Sequence, residues 1–209
     1  MNEIITKRNE KLAKEIIKGL ESRNMKGYYA ANREEALKIA LDIIPKKATV
    51  TQGGSVSVAE IGLVDALQKG DYDYRLRNEF KDEHEAAVFA YTADFFIGSV
   101  NAMTNDGILV NIDGNSNRVS AYAYGPAKIL LVVGMNKVTG DLDSAMKRAR
   151  NEAATMNAQR FGLNTPCSKT GKCADCKSGD TICCQFLTTR YSRHADRYHV
   201  ILVDDVLGF

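Results

Sequence analysis

Two apolar runs constrain the fold of this chain more than any other feature of its sequence. Residues 93–100 (ADFFIGSV) and 125–134 (GPAKILLVVG) are each built around a continuous apolar stretch. Strands of this kind are typically buried on both faces, as in a parallel sheet covered by helices. Predicted strands and helices alternate along much of the chain. The sequence therefore predicts an α/β fold with a largely parallel sheet and helices on both faces.

Length and charge exclude several classes of protein. The chain has 209 residues, of which 44% are hydrophobic and 26% charged, as expected for a single globular domain over residues 1–209. Its net charge of +2 gives no electrostatic reason to expect binding to nucleic acid or to a membrane surface. Residues 1–24 lack the apolar core of a signal peptide, and no run approaches the ~20 apolar residues of a membrane span. We expect a cytoplasmic protein, either alone or as a homo-oligomer.

All five cysteines fall within residues 164–184, NTPCSKTGKCADCKSGDTICC. In a reducing cytosol, clustered thiols are more often metal ligands or catalysts than disulfides, and five cannot all pair within one chain. The polar surroundings argue against buried thiols without a ligand. We expect residues 164–184 to form a metal-binding insertion before the last two strands. The candidate metal ligands are Cys167, Cys173, Cys176, Cys183 and Cys184.

The spacing C-x5-C-x2-C-x6-C-C leaves three chemistries open. Four thiolates could hold an iron–sulfur cluster, most simply of the four-iron, four-sulfur type. Alternatively, four cysteines, or three with His194 or His199, could bind a structural zinc ion. A thiol–disulfide pair at Cys173 and Cys176 is the third interpretation. Because successive side chains of an extended segment diverge, only one of Cys183 and Cys184 is expected to be a ligand.

A glycine-rich turn, Gly53-Gly54-Ser55, lies between a predicted strand at residues 48–51 and a predicted helix. Glycines let the backbone approach a ligand, while free amides and serine hydroxyls can face a negative group. A tight turn with a serine cap would explain the pattern equally well.

A second candidate region is rich in polar side chains. Asp106-Gly107, between two apolar runs, predicts a β-hairpin, and residues 113–117 predict a turn into a helix. These turns carry more donors and acceptors than they need, and the guanidinium of Arg118 beside amide side chains suits a carboxylate or phosphate. The polar residues of this region are Thr104, Asn105, Asp106, Gly107, Asn111, Asp113, Asn115, Asn117 and Arg118. Asn136 and Lys137, after the second apolar run, either join this site or lie in an exposed loop.

Three stretches together resemble the LUD (lactate-utilisation domain) family over essentially the whole chain. They are TQGGSVS, the block TNDGILVNIDGNSNRVSAYAYGPAKILLVVGMNKV, and the cysteine segment with the ending VDDVLGF. The pattern NTPC-x-K-x-GKC-x-DC resembles the subset of the family with a cysteine-rich tail. The resemblance implies a fold related to sugar isomerases, CoA-transferases and formyltetrahydrofolate cyclo-ligase. In those relatives the first glycine-rich turn contacts phosphate or a comparable anion.

The resemblance also implies a function. Other members occur with iron–sulfur and flavin-linked partners that oxidise L-lactate to pyruvate, which favours the cluster over zinc, but the family supplies no consensus catalytic residue. Its implied ligand-binding positions are Gly53, Gly54, Ser55, Thr104, Asn105, Asp106, Gly107, Asn115 and Arg118. We expect an iron–sulfur protein that binds a small anionic organic ligand in redox metabolism of an organic acid, with a redox partner protein.

Two alternative functions remain open at this point. One is a non-catalytic accessory or binding subunit with a structural zinc site. The other is an isomerase- or transferase-like enzyme on a phosphorylated or CoA-linked substrate, with Asp106, Asp113 or Glu60 as the base.

Overall fold

The computed structural model describes residues 3–209, so residues 1–2 of the predicted domain lie outside the described residues. The strands are β1 (Lys26–Ala30), β2 (Thr49–Gln52), β3 (Asp73–Tyr74), β4 (Phe95–Gly98), β5 (Ala102–Thr104), β6 (Leu109–Asp113), β7 (Lys128–Gly134), β8 (Val138–Thr139), β9 (Gln185–Thr189) and β10 (Tyr198–Val203). The α-helices are α1 (Glu3–Ser22), α2 (Arg33–Ile43), α3 (Val56–Glu60), α4 (Leu63–Lys69), α5 (Glu83–Thr92), α6 (Asn117–Ala123), α7 (Leu142–Arg148), α8 (Ala154–Arg160) and α9 (Pro166–Thr170).

The main sheet contains six strands in the order β1-β10-β7-β4-β2-β3, and every neighbouring pair is parallel. The two apolar runs form β4 and β7, which lie side by side in its interior. Side chains along β7 alternate between two hydrophobic clusters: Ile129 and Leu131 pack on one face of the sheet, Leu130 and Val132 on the other. Burial on both faces explains why these strands carry no polar alternation.

Helices cover both faces of this sheet, so the predicted α/β fold is confirmed. Helices α2, α3 and α4 pack on one face through residues such as Ala40, Val58 and Leu67. On the other face, Ile16 of α1 and Tyr122 of α6 join the cluster. None of the helices within residues 3–209 is long and apolar enough to cross a membrane.

A second, four-stranded sheet has the order β8-β5-β6-β9. Strands β5 and β6 are antiparallel, which confirms the predicted hairpin, and β9 pairs with β6 in the same manner. Of the two strands expected after the cysteine segment, β9 joins this small sheet and β10 joins the main one. Ala102 and Ile112 pack against Ala145 of α7, so the small sheet lies between α7 and the body of the domain.

Two helical regions depart from a single regular α-helix. The helix expected after the glycine-rich turn is divided into α3 and α4, because Gly62 adopts a left-handed conformation with φ 78°. Helices α7 and α8 are joined by a π-helical segment, Ala149–Ala153, so the chain continues as one rod from Asp141 to Arg160. Segments of this kind often mark functional sites, and here the segment precedes the cysteine region.

Candidate functional site: a cationic cavity beside the cysteine segment

A cavity of about 450 Å³ opens at the carboxyl ends of β2, β4 and β7. The turn after β2 contributes Gly53–Ser55, the residue after β4 is Ser99, and the segment after β7 contributes Lys137. Neighbouring parallel strands bring their following loops to one edge of the sheet, where ligands of open α/β folds bind. The volume lies within the range of small-molecule sites.

The glycine-rich turn packs directly on Arg118. A Cβ atom at Gly53 would lie 3.1 Å from Cδ of Arg118, so only glycine lets the turn lie against this side chain without displacing it. Gly54 adopts a left-handed conformation with φ 77°. Ser55 caps α3 by accepting a hydrogen bond from the amide of Val58. Turn and guanidinium thus form one wall of the cavity.

Hydrogen bonds fix the position of Arg118. Its Nη1 donates to Oδ1 of Asn111 at 2.8 Å, and its Nη2 donates to Oδ1 of Asn101 at 3.3 Å and to the carbonyl of Ile112. Nε lies 3.6 Å from the Asp113 carboxylate. That carboxylate also accepts hydrogen bonds from the first amides of α6, including the Arg118 amide at 3.2 Å. Because Asp113 is shared in this way, Arg118 keeps positive charge for a ligand.

Lys137 is the group that sequence analysis left undecided between site and exposed loop. Its side chain is buried, with 3% exposure, and Nζ donates to Oγ of Ser57 at 2.9 Å and to Oγ of Ser99 at 3.0 Å. Neither partner is a carboxylate. Burial, followed by the positive charge of Arg148, lowers the pKa of Lys137 to about 7; Glu60 opposes this shift, and Arg118 adds the smallest contribution toward lowering the pKa. The side-chain amine of Lys137 is therefore neutral in a large fraction of the molecules near neutral pH.

Positive charge dominates the cavity. Its lining side chains within residues 3–209 include the guanidinium groups of Arg77, Arg118 and Arg160, and Asp113 is the carboxylate among them. Arg160 donates to the carbonyl of Gly54 at 3.4 Å. Burial and then the charge of Arg118 lower the pKa of Arg160. Cations held close together in a partly buried cavity favour an anionic ligand.

The neutral form of Lys137 leads to a prediction about pH and stability. A lysine with pKa 10.5 when unfolded and about 7 when folded binds fewer protons in the native state between those values, so stability should rise from pH 7 to 10. We expect Lys137→Met to increase the free energy of unfolding at pH 6 by on the order of 1–3 kcal/mol and to flatten this rise. Urea unfolding at pH 6, 8 and 10 would measure the free energy of unfolding of each protein.

Lys69→Met, at a side chain that is 81% exposed, is the control, and its free energy of unfolding should change with pH as that of the wild type does. If the unfolding free energy of Lys137→Met rose with pH as steeply as that of the wild type, the lowered pKa assigned to Lys137 would be contradicted.

The structure brings some of the predicted ligand-binding residues together but not others. Gly53, Gly54, Ser55, Asn115 and Arg118 all line the cavity. The residues of the β5–β6 turn do not line it; these are Thr104, Asn105, Asp106 and Gly107.

The β5–β6 turn packs against α1 instead. Arg23 donates to the Asp106 carbonyl at 2.8 Å and pairs with its carboxylate, while Thr104 donates to the same carboxylate. A Cβ at Gly107 would lie 2.8 Å from the amide nitrogen of Leu20. The amide of Asn105 donates to the carbonyl of Thr139. These contacts give the polar side chains of the turn a structural role.

Within the cysteine segment, the two adjacent cysteines have different surroundings. Cys183 is half-buried and packs against the small-sheet cluster, whereas Cys184 is exposed and its thiol lies 3.6 Å from the Thr181 carbonyl. Burial raises the pKa of Cys183 to about 11, and the charges of Cys173, Cys167 and Cys176 add to the effect. Cys183 therefore lies within electrostatic reach of three other thiols, and these four cysteines are called the thiol group below.

Several donors surround these sulfur atoms. Nη2 of Arg150, in the π-helical segment, lies 3.8 Å from Sγ of Cys173, and Oγ of Ser178 lies 3.7 Å from Sγ of Cys176. Oγ1 of Thr165 lies 3.2 Å from Sγ of Cys167. Donors of this kind stabilise thiolates and the sulfur atoms of a cluster. Thiols with hydrogen-bond donors beside their sulfur atoms are the residue types that an iron–sulfur cluster requires.

Histidine was the alternative ligand for a zinc ion. Within residues 3–209, no three or more His, Cys, Asp or Glu side chains are arranged so that they could hold a metal ion. The ring nitrogens of His199 lie 3.0 Å from the Tyr28 hydroxyl and 3.2 Å from the Asp196 carbonyl. His199 is thus engaged elsewhere.

The cysteine segment forms part of the cavity wall. Thr181 and Ile182 line the cavity, and Cys183 follows directly in the chain. A Cβ at Gly114 would lie 3.1 Å from Cα of Ile182, so glycine at this position lets the segment approach the turn before α6. The cysteine segment therefore borders the cavity through Thr181 and Ile182, and none of the five cysteines is among the residues that line it.

Fold and site together define an α/β protein with a cationic cavity at the carboxyl ends of its parallel strands. The chain belongs to the LUD domain family, whose model matches residues 13–203, and is thereby related to proteins of lactate utilisation. It is similar in fold to the crystal structure of a DUF162 family protein from Deinococcus radiodurans, with a TM-score of 0.55 and 10% sequence identity over 93% of this chain and 97% of that one. No curated protein matches the chain.

Proposed function

We propose that this protein binds a small organic acid beside an iron–sulfur cluster and acts in redox metabolism of the lactate-utilisation type. The observation that carries the proposal is the shared wall: Ile182 lines the cationic cavity and the next residue, Cys183, belongs to the group of four thiols. A ligand in the cavity would therefore lie close to the cluster.

The cavity offers specific partners for an organic acid. Arg118 could form charge-assisted hydrogen bonds with a carboxylate, and its position is already fixed by three oxygen acceptors. Ser55 and Ser99 add hydroxyl groups beside the glycine-rich turn. Because the site is held in place before binding, little side-chain ordering would oppose association.

Cys167, Cys173, Cys176 and Cys183 would hold the cluster, which supplies one-electron transfer when bound. Arg150, Ser178 and Thr165 would donate to its thiolate ligands. Since all four thiolates would be used, the protein would pass electrons to a redox partner rather than offer an open iron to the ligand. The reducing cytoplasm would keep these thiols free for the cluster.

Metal and sulfide analysis of anaerobically purified protein tests the cluster. We expect brown protein with about four iron and four sulfide per chain. Colourless protein with one zinc per chain would contradict the cluster and support a structural zinc site. Thermal unfolding with lactate, pyruvate, glyoxylate and sugar phosphates tests the cavity, since a ligand at 100 times its Kd should add about 2.7 kcal/mol of stability. Stabilisation by sugar phosphates alone would favour an isomerase- or transferase-like function.

A further inference from the structure

We infer that Lys137 forms a covalent imine with the carbonyl carbon of a 2-oxo acid bound in the cavity. The inference deepens the proposed function and rests on it, because it needs an organic acid at this site. It adds a chemical class of ligand and assigns a reactive atom, Nζ of Lys137.

The surroundings of Lys137 are unusual for a structural lysine. A buried lysine normally needs a carboxylate to compensate its charge. Lys137 is 3% exposed, yet its Nζ contacts two neutral hydroxyl groups, those of Ser57 and Ser99, at 2.9 and 3.0 Å. Both hydroxyls can accept from or donate to nitrogen, so they serve the neutral amine as well as the ammonium ion.

The charged groups around Lys137 also favour the amine. Arg148 donates to the carbonyls of Asn101 and Asn136, and Arg118 lines the same cavity as Lys137; both act to lower the pKa of Lys137. Glu60, the carboxylate that opposes them, accepts a hydrogen bond from the amide of Gly208 at 2.7 Å. A lysine that is desolvated beside other cations is the usual form of an amine nucleophile.

The reactive nitrogen contacts Ser57 and Ser99, which line the place where a ligand would bind. Lys137 lines the same cavity as Arg118 and the glycine-rich turn. A Cβ at Gly208 would lie 3.4 Å from Nζ, so the absence of a side chain there leaves room beside the amine. With its carboxylate on Arg118, a 2-oxo acid would present the adjacent carbonyl carbon toward the interior of the cavity.

The reaction needs no further reactant. The neutral Nζ attacks the carbonyl carbon, forming a C–N bond, and the carbonyl electron pair moves to oxygen. A proton moves from nitrogen to that oxygen. The carbinolamine then loses hydroxide, which leaves as water with a second proton, giving a C=N bond. Amine and ketone thus yield imine and water with no change in total oxidation state. Ser57 and Ser99 are placed to relay these protons.

Borohydride trapping tests the inference. The full-length protein, purified anaerobically, is incubated with pyruvate and sodium borohydride, digested and analysed by mass spectrometry. We expect a reduced adduct on the peptide containing Lys137, with the mass of pyruvate less one water plus two hydrogens. Adduct yield should rise from pH 6 to 8 as the amine loses its proton. Lactate, which has no carbonyl carbon to attack, should give no adduct.

Two variants act as controls. Lys137→Arg keeps a positive charge but cannot form an imine, and we expect at least a tenfold loss of adduct. Lys128→Arg, at a half-buried lysine that donates to the Asp196 carbonyl, should leave the adduct unchanged. Since Lys137→Arg could disturb folding, its melting temperature and pyruvate binding by calorimetry are measured as well, and Lys137→Met provides a second variant.

The outcomes separate the inference from the proposed function. Pyruvate binding without an adduct on Lys137, or an equal adduct level in the folded Lys137→Arg protein, overturns the imine and leaves the cavity assignment intact. Absence of binding by every organic acid tested overturns the imine together with the proposed ligand. An adduct confined to Lys137 supports both.

Discussion

Replacing Cys183 by serine is expected to abolish assembly of the iron–sulfur cluster, whereas replacing Cys184 by serine is expected to leave it intact. The two residues are neighbours in the chain and differ in their surroundings: Cys183 is half-buried within reach of three other thiols, and Cys184 is exposed. A serine hydroxyl is a much poorer ligand for iron than a thiolate. The Cys183→Ser protein should therefore contain little iron and sulfide.

Iron and sulfide content, with the visible absorption spectrum of anaerobic protein, measures the difference between these two variants. Cys173→Ser should behave like Cys183→Ser, because its thiol belongs to the same group and contacts Arg150. Far-ultraviolet circular dichroism would show that each variant is folded. If Cys183→Ser kept its full iron content and Cys184→Ser lost iron, Cys184 rather than Cys183 would be the ligand. Unchanged iron content in every variant would place the metal elsewhere.

The main sheet could be predicted because its signal is local. The runs that form β4 and β7 are apolar at successive positions, and only burial on both faces makes such runs favourable. The same holds for Asp106-Gly107, whose turn preference specifies the hairpin without help from distant residues. The glycine-rich turn was found for a similar reason, since strand, glycines and serine cap are adjacent in sequence.

The roles of individual polar side chains depend on partners that are distant in the sequence, so these roles could not be predicted from neighbouring residues. Asp106 looked like a ligand-binding residue, but its partner is Arg23, 83 positions earlier and directly after α1. Lys137 could have been an exposed loop residue. Its burial arises from Ser57 and Ser99, which the parallel sheet brings beside it from 80 and 38 positions away. The position of Cys183 within the thiol group likewise depends on packing against the small sheet.

Arg118→Ala is expected to weaken binding of organic acids by about 10- to 100-fold, which corresponds to the 1.5–3 kcal/mol of a hydrogen bond to a charged group. The guanidinium is 18% exposed and is the cavity's most firmly positioned cation. Removing it also leaves Oδ1 of Asn111 without this donor, whereas Oδ1 of Asn101 keeps the amide of Ile112, so the variant should lose some stability. Isothermal titration calorimetry with pyruvate and lactate at fixed ionic strength would measure the change in Kd.

Arg23→Ala is the matched control, because it separates loss of binding from loss of stability. The Arg23 side chain is 17% exposed, pairs with Asp106 and donates to the Arg190 carbonyl at 2.9 Å, so its burial and contacts resemble those of Arg118. It holds the β5–β6 turn, which does not line the cavity. We expect similar destabilisation in both variants but wild-type affinity in Arg23→Ala. If Arg23→Ala lost affinity while Arg118→Ala kept it, the ligand would bind at the hairpin that contains Thr104 and Asp106, and the cavity at the carboxyl ends of β2, β4 and β7 would not be the site.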